Sequence, residues 1–554
     1  MDRMIKVTFQ DRIVKEFPAN TTLEEISHSF KSYYNFPILT AKVDNNLAPL
    51  SKEMGKKCDV DFYDRSSVVG NTVYASSVQL MMIVAIRRLF GQDVDVMIEH
   101  SIDKGIYCEM INKKLTKEEL KKIEKEMYNL VKEDLNFTKV SVARIDAIKY
   151  FKKEKRMDKV KVLKYISNSY VNLYRLDEVY DYFFGELAYS TKDIDDFKLN
   201  YIDETGFVLA YPNIYNPECT LDYVHHKPIF DKFRDYTDWG KIIGIETAAD
   251  LNEIVSTGRY NEIIRLAEAH YESQLAEVSE AINDRKGTVK LVLIAGPSSS
   301  GKTTTSKKLA VYLQSKGFRT HSISIDDYFL DRKDTPKKEN GEYDFESIKA
   351  VDTDLFNKQL TKLLEGEKVL LPEFNFVLGK KEYKRNLQIK ENDIIIIEGL
   401  HALNDELTMA IEDKYKYKIY ISPLTQINID NHNRIHTSDT RRLRRIIRDN
   451  KYRGRMAAET LKMWKDIREG EELYIFPYQD SADMVINTAL IYELGVLKTY
   501  AEPLLFSVPE NDPVYPEAIR LINFLRNFLP IPSDEVPRDS ILREFIGGSG
   551  FYDN

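Results

Sequence analysis

Gly296-Pro297-Ser298-Ser299-Ser300-Gly301-Lys302-Thr303-Thr304 is the densest chemical signal in this chain. It has the spacing GxxxxGK[ST], follows the apolar run Lys290-Leu291-Val292-Leu293-Ile294-Ala295 and opens a helix pattern through Leu313. Glycines at both ends let such a loop wrap close to phosphate oxygens. Its backbone N–H groups turn inward as an anion nest, and the N-terminus of the next helix adds positive potential. In this pattern the lysine, Lys302, reaches the β- and γ-phosphates of a nucleoside triphosphate, and the Thr303 hydroxyl ligates Mg²⁺. A chance Gly/Ser turn lacks the buried-type strand before it and the helix after it.

A phosphate loop alone does not choose among kinase, ATPase and GTPase. Downstream, a strand over Thr320–Ile325 is expected to end in Asp326-Asp327-Tyr328-Phe329. In an open parallel sheet the ligand crevice lies beyond the carboxyl ends of the strands, so a carboxylate there can take the proton of an acceptor hydroxyl. An ordinary acidic turn is the alternative. A second buried strand, Asp393-Ile394-Ile395-Ile396-Ile397, ends in Glu398, which can hold Mg²⁺ beside Thr303. The run Asp439–Arg455 carries eight basic residues in seventeen. It reads as a solvated helix face, an RNA-binding helix or, after a phosphate loop, an arginine lid that neutralises transferred phosphoryl charge and excludes water.

These residues need a scaffold, and 554 residues suit three or four domains at about 150 residues each. The net charge of −8 excludes a generic nucleic-acid coat protein. Cys58, Cys108 and Cys219 form no CxxC pair, which excludes a disulfide framework. The start, residues 1–6, has no apolar signal core, and the apolar runs fall short of a membrane span, so a cytoplasmic, soluble chain without membrane contact is expected. Residues 1–64 read as ββαββ, a small grasp fold. A hairpin turns at Asp11-Arg12, a helix runs from Thr22 to about Phe30, and strands lie at Thr40–Val43 and Asp59–Phe62. Further on, helices are expected over Val78–Phe90, over Thr116–Asp134 with Leu120, Ile123, Met127, Leu130 and Val131 inward, and over Tyr260–Asn283 with Leu266 among the inward residues. Lys149–Lys164 reads as a solvated basic face, and His225-His226 as ordinary polar residues, not a metal pair.

The phosphate loop, Ser324–Phe329, Tyr343-Asp344-Phe345-Glu346, Ile397-Glu398-Gly399, the arginine segment and Ala482–Asn487 together resemble the uridine kinase branch of the phosphoribulokinase/uridine kinase family over residues 288–490. The resemblance implies Asp326 as catalytic base and Asp344 as ligand of ribose hydroxyls. It also implies Arg445 and Arg455 on the nucleoside side, with Arg448 and Arg453 nearer the phosphates. Phe374 would stack on the base. Pro372–Gly379 departs from the family's Tyr-Asp-Phe and later His, so the resemblance implies a nucleoside without fixing a pyrimidine.

Residues 1–64 resemble a TGS domain. Ser101–Tyr107, Glu118–Leu135, Lys139–Ser141 and Tyr174–Leu199 resemble the editing domain of threonyl-tRNA synthetases. The two histidines of that domain's first helix and its later Cys and His align with Ala75, Gln79, Phe183 and Leu187, so the resemblance implies the fold without the hydrolytic chemistry.

The expectation is a multidomain α/β and α+β chain. It comprises a β-grasp TGS-like domain (1–64), a synthetase editing-like α+β domain without catalysis (70–215) and a helical connector (216–286). A P-loop kinase domain with a parallel sheet flanked by helices (287–490) and a helical extension (491–554) follow. The expected activity is Mg²⁺- and ATP-dependent phosphorylation of a nucleoside 5′-hydroxyl, by a homo-oligomer. Alternatives are a kinase of another small alcohol, such as a sugar phosphate or pantothenate, and an RNA- or ribosome-associated regulatory NTPase that binds nucleic acid through the N-terminal half.

Overall fold

Alternation of apolar and polar residues builds the first sheet. Ile5, Val7 and Phe9 point inward from Met4–Phe9, which pairs antiparallel with Ile13–Pro18 and parallel with Cys58–Asp64. Ile38–Val43 and the short strand Asn46–Ala48 complete it, giving a five-stranded mixed sheet. Its helix, Leu23–His28, starts at a Thr22–Glu25 capping box and stops before the expected Phe30, which instead stacks on Phe9 at 4.4 Å. The computed structural model describes residues 4–10, 12–338, 341, 343–375, 378–425 and 427–551. Residues 1–3 of the expected start, Asp11 of the hairpin turn, and Phe376 and Val377 of the base-pocket run lie outside the described residues.

The second unit is built around the helix Val68–Phe90, which begins at a Ser67 cap well before the expected Val78. Small polar residues such as Asn71, Ser76 and Ser77 break the linear apolar runs, yet the whole helix is long and apolar enough to cross a bilayer. This corrects the expectation that no segment reaches that length. Its apolar residues fill the core of this unit, against the four-stranded sheet that includes Asp95–Ile102 and Gly105–Ile111 and the helix Lys117–Glu133. The basic stretch divides into Arg144–Lys153 and Met157–Lys164 at Lys155, whose φ is 58°. It is not uniformly solvated. Lys159 is fully buried, 2.7 Å from both Asp181 and Asp430.

Helices Lys227–Ile243, Ala248–Ser256 and Tyr260–Asp284 follow. Tyr260–Asp284 packs through Ile264, Tyr271, Leu275 and Val278 on the last domain, while Leu266, expected inward, is 40% exposed. The last sheet has the order Arg319–Ser324, Asp393–Glu398, Leu291–Ala295, Lys416–Ser422, Met484–Asn487, with every pairing parallel. Its inner strands are continuous apolar runs because both faces are covered. Helices Glu493–Phe506, Tyr515–Leu525 and Arg543–Ile546 complete the chain and share its core.

Candidate active site

Because all strands of the last sheet run parallel, Ala295, Ser324 and Glu398 end on one edge, where the phosphate loop crosses. The loop is shaped by what it lacks. A Cβ on Gly296 would lie 2.2 Å from the Ile421 carbonyl oxygen, and Gly301 has φ 88° where the helix Lys302–Ser315 begins. The Lys302 ammonium donates to the carbonyl oxygens of Gly296 (2.9 Å) and Pro297 (3.3 Å).

The outer side of the loop is clamped by the arginine helix Thr437–Arg453. Arg441 Nε donates to the Ser298 carbonyl (2.9 Å) and Arg444 Nη1 to that of Ser299 (3.4 Å). The Ser298 amide donates to Glu471 Oε1 at 3.0 Å, and the Thr488 hydroxyl to the Ser300 carbonyl at 2.6 Å. Arg441 also pairs with Glu471, and Arg444 with Glu493, all buried. These arginines are fixed parts of the loop's support, which corrects the reading of the whole segment as a closing lid or a solvated face. Unpaired guanidinium groups are too costly to bury, and these found carboxylates from later elements.

Asp449 organises the rest of that helix. Its carboxylate is buried and lies 3.2 Å from Arg445 and Arg448, 3.3 Å from Arg453 and 3.9 Å from Arg455. Arg445 Nη1 also donates to the Ser298 hydroxyl at 2.5 Å, so it touches the phosphate loop. Arg455 turns to the Met463 sulfur at 3.4 Å.

Asp326 lies in the turn just after the strand Arg319–Ser324, with its side chain open to solvent. Desolvation by the surrounding protein raises its carboxyl above the ordinary range, opposed by Lys302, Arg453 and Arg448. Burial pushes Glu398 up to about 7, helped by Asp326 and opposed by Lys302 and by the Ser324 hydroxyl, which donates at 3.1 Å. Burial lowers Lys302, opposed chiefly by Glu398 and Asp326. The structure therefore brings Lys302, Asp326, Glu398, Arg448 and Arg453 into one electrostatic neighbourhood. Asp327 is separate, because it accepts from the Phe374 amide at 3.3 Å.

Phe374 is buried with its ring centroid 5.8 Å from that of Phe329. The Asp344 backbone is anchored to the Pro336 carbonyl at 2.8 Å. Its neighbour Glu346 is the acid coupled to the site. Burial pushes it up to about 7, with Arg445 opposing and Glu471, then Asp326, reinforcing. Sequence reasoning missed Glu346, Glu471 and Asp449 as site residues. Asp449 and Glu471 carried weak local signals, an i,i+4 spacing from Arg445 and an i,i+3 spacing from Arg468.

Thr303 and Glu398 are the residues that could hold Mg²⁺. Among the described residues no cluster of three or more His, Cys, Asp or Glu could cage a metal. One hydroxyl and one crowded carboxylate beside a phosphate loop match an ion that takes its remaining ligands from phosphate and water. In the second unit, Gln79, Phe183 and Leu187 are buried in the domain core, and Ala75 lies on the helix Val68–Phe90.

Residues 291–491 match the model of the phosphoribulokinase/uridine kinase family. A uridine kinase from Anoxybacillus flavithermus is 28% identical over 194 residues, covering 35% of this chain and 83% of the relative. The N-terminal part is similar to threonine–tRNA ligases. The protein from Oceanobacillus iheyensis is 32% identical over 258 residues, 44% of this chain and 40% of the ligase. The chain spans only 25% of the length of another such ligase, from Desulforamulus reducens. A solved structure described as a possible uridine kinase from Bacillus stearothermophilus aligns over 39% of this chain and 98% of its own, at 20% identity and a TM-score of 0.26.

Proposed function

Taking residues 291–491 as a kinase domain of the phosphoribulokinase/uridine kinase family, we propose that the chain transfers the γ-phosphoryl group of ATP to the 5′-hydroxyl of a nucleoside. The observation that carries this reading is Asp326. It is an accessible carboxylate just past the strand that follows the phosphate-loop helix, within the electrostatic reach of Lys302, Arg453 and Arg448.

In this mechanism the loop amides and Lys302 hold the donor phosphates, and Asp326 receives the proton of the attacking hydroxyl. Its raised carboxyl makes it a better proton acceptor than a solvated aspartate. Arg448 and Arg453 neutralise charge spreading over the transferred group, and Asp449 holds both in place. Thr303 and Glu398 would hold Mg²⁺, which when bound would supply further neutralisation of phosphate charge. Arg445, Arg455 and Asp344 form the acceptor side, where Glu346 adds a further acid, and Phe374 supports the base. A cytoplasmic location suits the use of ATP.

The N-terminal half serves as a non-catalytic module in this reading. The test is ADP release by the full chain across a panel of nucleosides, deoxynucleosides, pantothenate and sugar phosphates. Release that depends on a nucleoside supports the proposal, and release only with a non-nucleoside alcohol overturns it.

A further inference from the structure

The phosphate cradle already contains a carboxylate. Thr304 donates its backbone amide (3.2 Å) and its hydroxyl (2.7 Å) to Glu544 Oε2, and Glu544 comes from the far end of the chain. Thr304 lies in the first turn of the helix Lys302–Ser315, where free amide groups and the helix dipole attract anions. A carboxylate that accepts both donors of one residue leaves neither of them open to another anion.

The placement of Glu544 is fixed by its neighbours. Ile541, Leu542 and Phe545 are fully buried, and Ile546 is nearly so. Ile541 packs on bare Gly301, where an added Cβ would meet its Cδ1 at 2.4 Å. The Phe545 ring lies 5.0 Å from the Arg444 guanidinium, and Lys307 Nζ donates to the Phe551 carbonyl at 2.8 Å. The helix Arg543–Ile546 is thus part of the domain core, while Glu544 itself is only half-buried.

We propose that Glu544 is a residue of the donor site, an internal competitor whose carboxylate occupies the phosphate cradle and swings aside when nucleotide binds. This rests on the phosphate loop being the donor site, as proposed above. The carboxylate and the nucleotide cannot use the Thr304 donors together. The apparent affinity for nucleotide is therefore reduced by the fraction of time the cradle is open. If the carboxylate holds it for about 90% of the time, nucleotide binds about tenfold more weakly than the cradle permits. Glu544 thereby sets the ADP and ATP concentrations at which the site fills, without touching the reacting atoms.

The experiment is calorimetric titration of Mg-ADP into the full chain, into Glu544→Gln and into Glu544→Ala, with Lys302→Ala alongside. Glu544→Gln keeps the shape and loses the charge, so it guards against a folding artefact. Tightening by about tenfold in Glu544→Ala, with Glu544→Gln between it and the native chain, supports the proposal. Equal or weaker binding in both variants overturns it while leaving the donor site intact, provided Lys302→Ala has lost binding. If Lys302→Ala binds as well as the native chain, the nucleotide sits elsewhere and both readings fall.

Discussion

Replacing Asp326 by Asn separates chemistry from donor binding. The amide keeps the shape and hydrogen-bonding reach of the side chain but cannot take a proton. Loss of a positioned general base costs about 10²–10⁴ in rate, or about 3–5 kcal/mol of transition-state stabilisation. Donor affinity should follow a different rule. Asp326 is in electrostatic reach of Lys302, Arg453 and Arg448, whereas the described carboxylate contacts of the loop and first-turn amides come from Glu471 and Glu544. Removing its charge leaves those cations more available to phosphate, so ATP should bind as well as before or slightly tighter. Lys302→Ala should instead weaken binding and turnover together, because an ammonium on the phosphates acts in the ground and transition states alike. The assay pairs calorimetric ATP titration with single-turnover phosphoryl transfer for both variants. Transfer by Asp326→Asn within a few-fold of native would remove Asp326 as the base and refute the reasoning.

Asp449→Asn should cost about 3 kcal/mol of stability, because it leaves the guanidinium groups of Arg445 and Arg448 around a buried neutral amide. Urea denaturation measures this, and an unchanged midpoint would contradict the hub role. Glu346 gives a pH signature. Its carboxyl stands at about 7 in the fold against an ordinary value of 4.5, so between those values the folded chain holds a proton that the unfolded chain releases. Its contribution to stability is therefore present below about 4.5 and falls as pH rises toward 7. Glu346→Gln should match the native melting temperature at pH 4.5 and exceed it at pH 8, and an equal gap at both pH values would refute the assignment. The full chain should not deacylate mischarged threonine tRNA, because Gln79, Phe183 and Leu187 are packed in the domain core where the hydrolytic ligands would stand. Saturable deacylation would sink that expectation.

The parts of the site legible in the sequence are those encoded within one short stretch. The phosphate loop, Asp326 at its strand end and Glu398 after four isoleucines each announce themselves, because a buried strand ending in an acid needs no distant partner to be recognised. What stayed hidden depends on partners far along the chain. Arg441 and Arg444 look like solvated charges until Glu471 and Glu493 arrive from later helices. Lys159 and Arg156 read as surface residues, yet they are buried against Asp181 and Asp430, and Asp95 and Asp158, respectively. Glu544 lies 240 residues from Thr304, and no local pattern marks it. The start of Val68–Phe90 was missed for a different reason. Its first turns bury glycine and serine against neighbouring backbone, so Gly70 has no room for a side chain 1.9 Å from the Asp64 carbonyl oxygen, and apolar periodicity does not report such packing.

In the proposed function this site passes phosphoryl to an alcohol and not to water. Its most direct test follows the γ-phosphate of labelled ATP in the presence of nucleosides, with and without RNA. Label should appear in a nucleoside 5′-monophosphate, one per ADP formed, with little inorganic phosphate and no stimulation by RNA. Label released as inorganic phosphate in step with added RNA, with none in a nucleotide product, would contradict it and point to a regulatory NTPase.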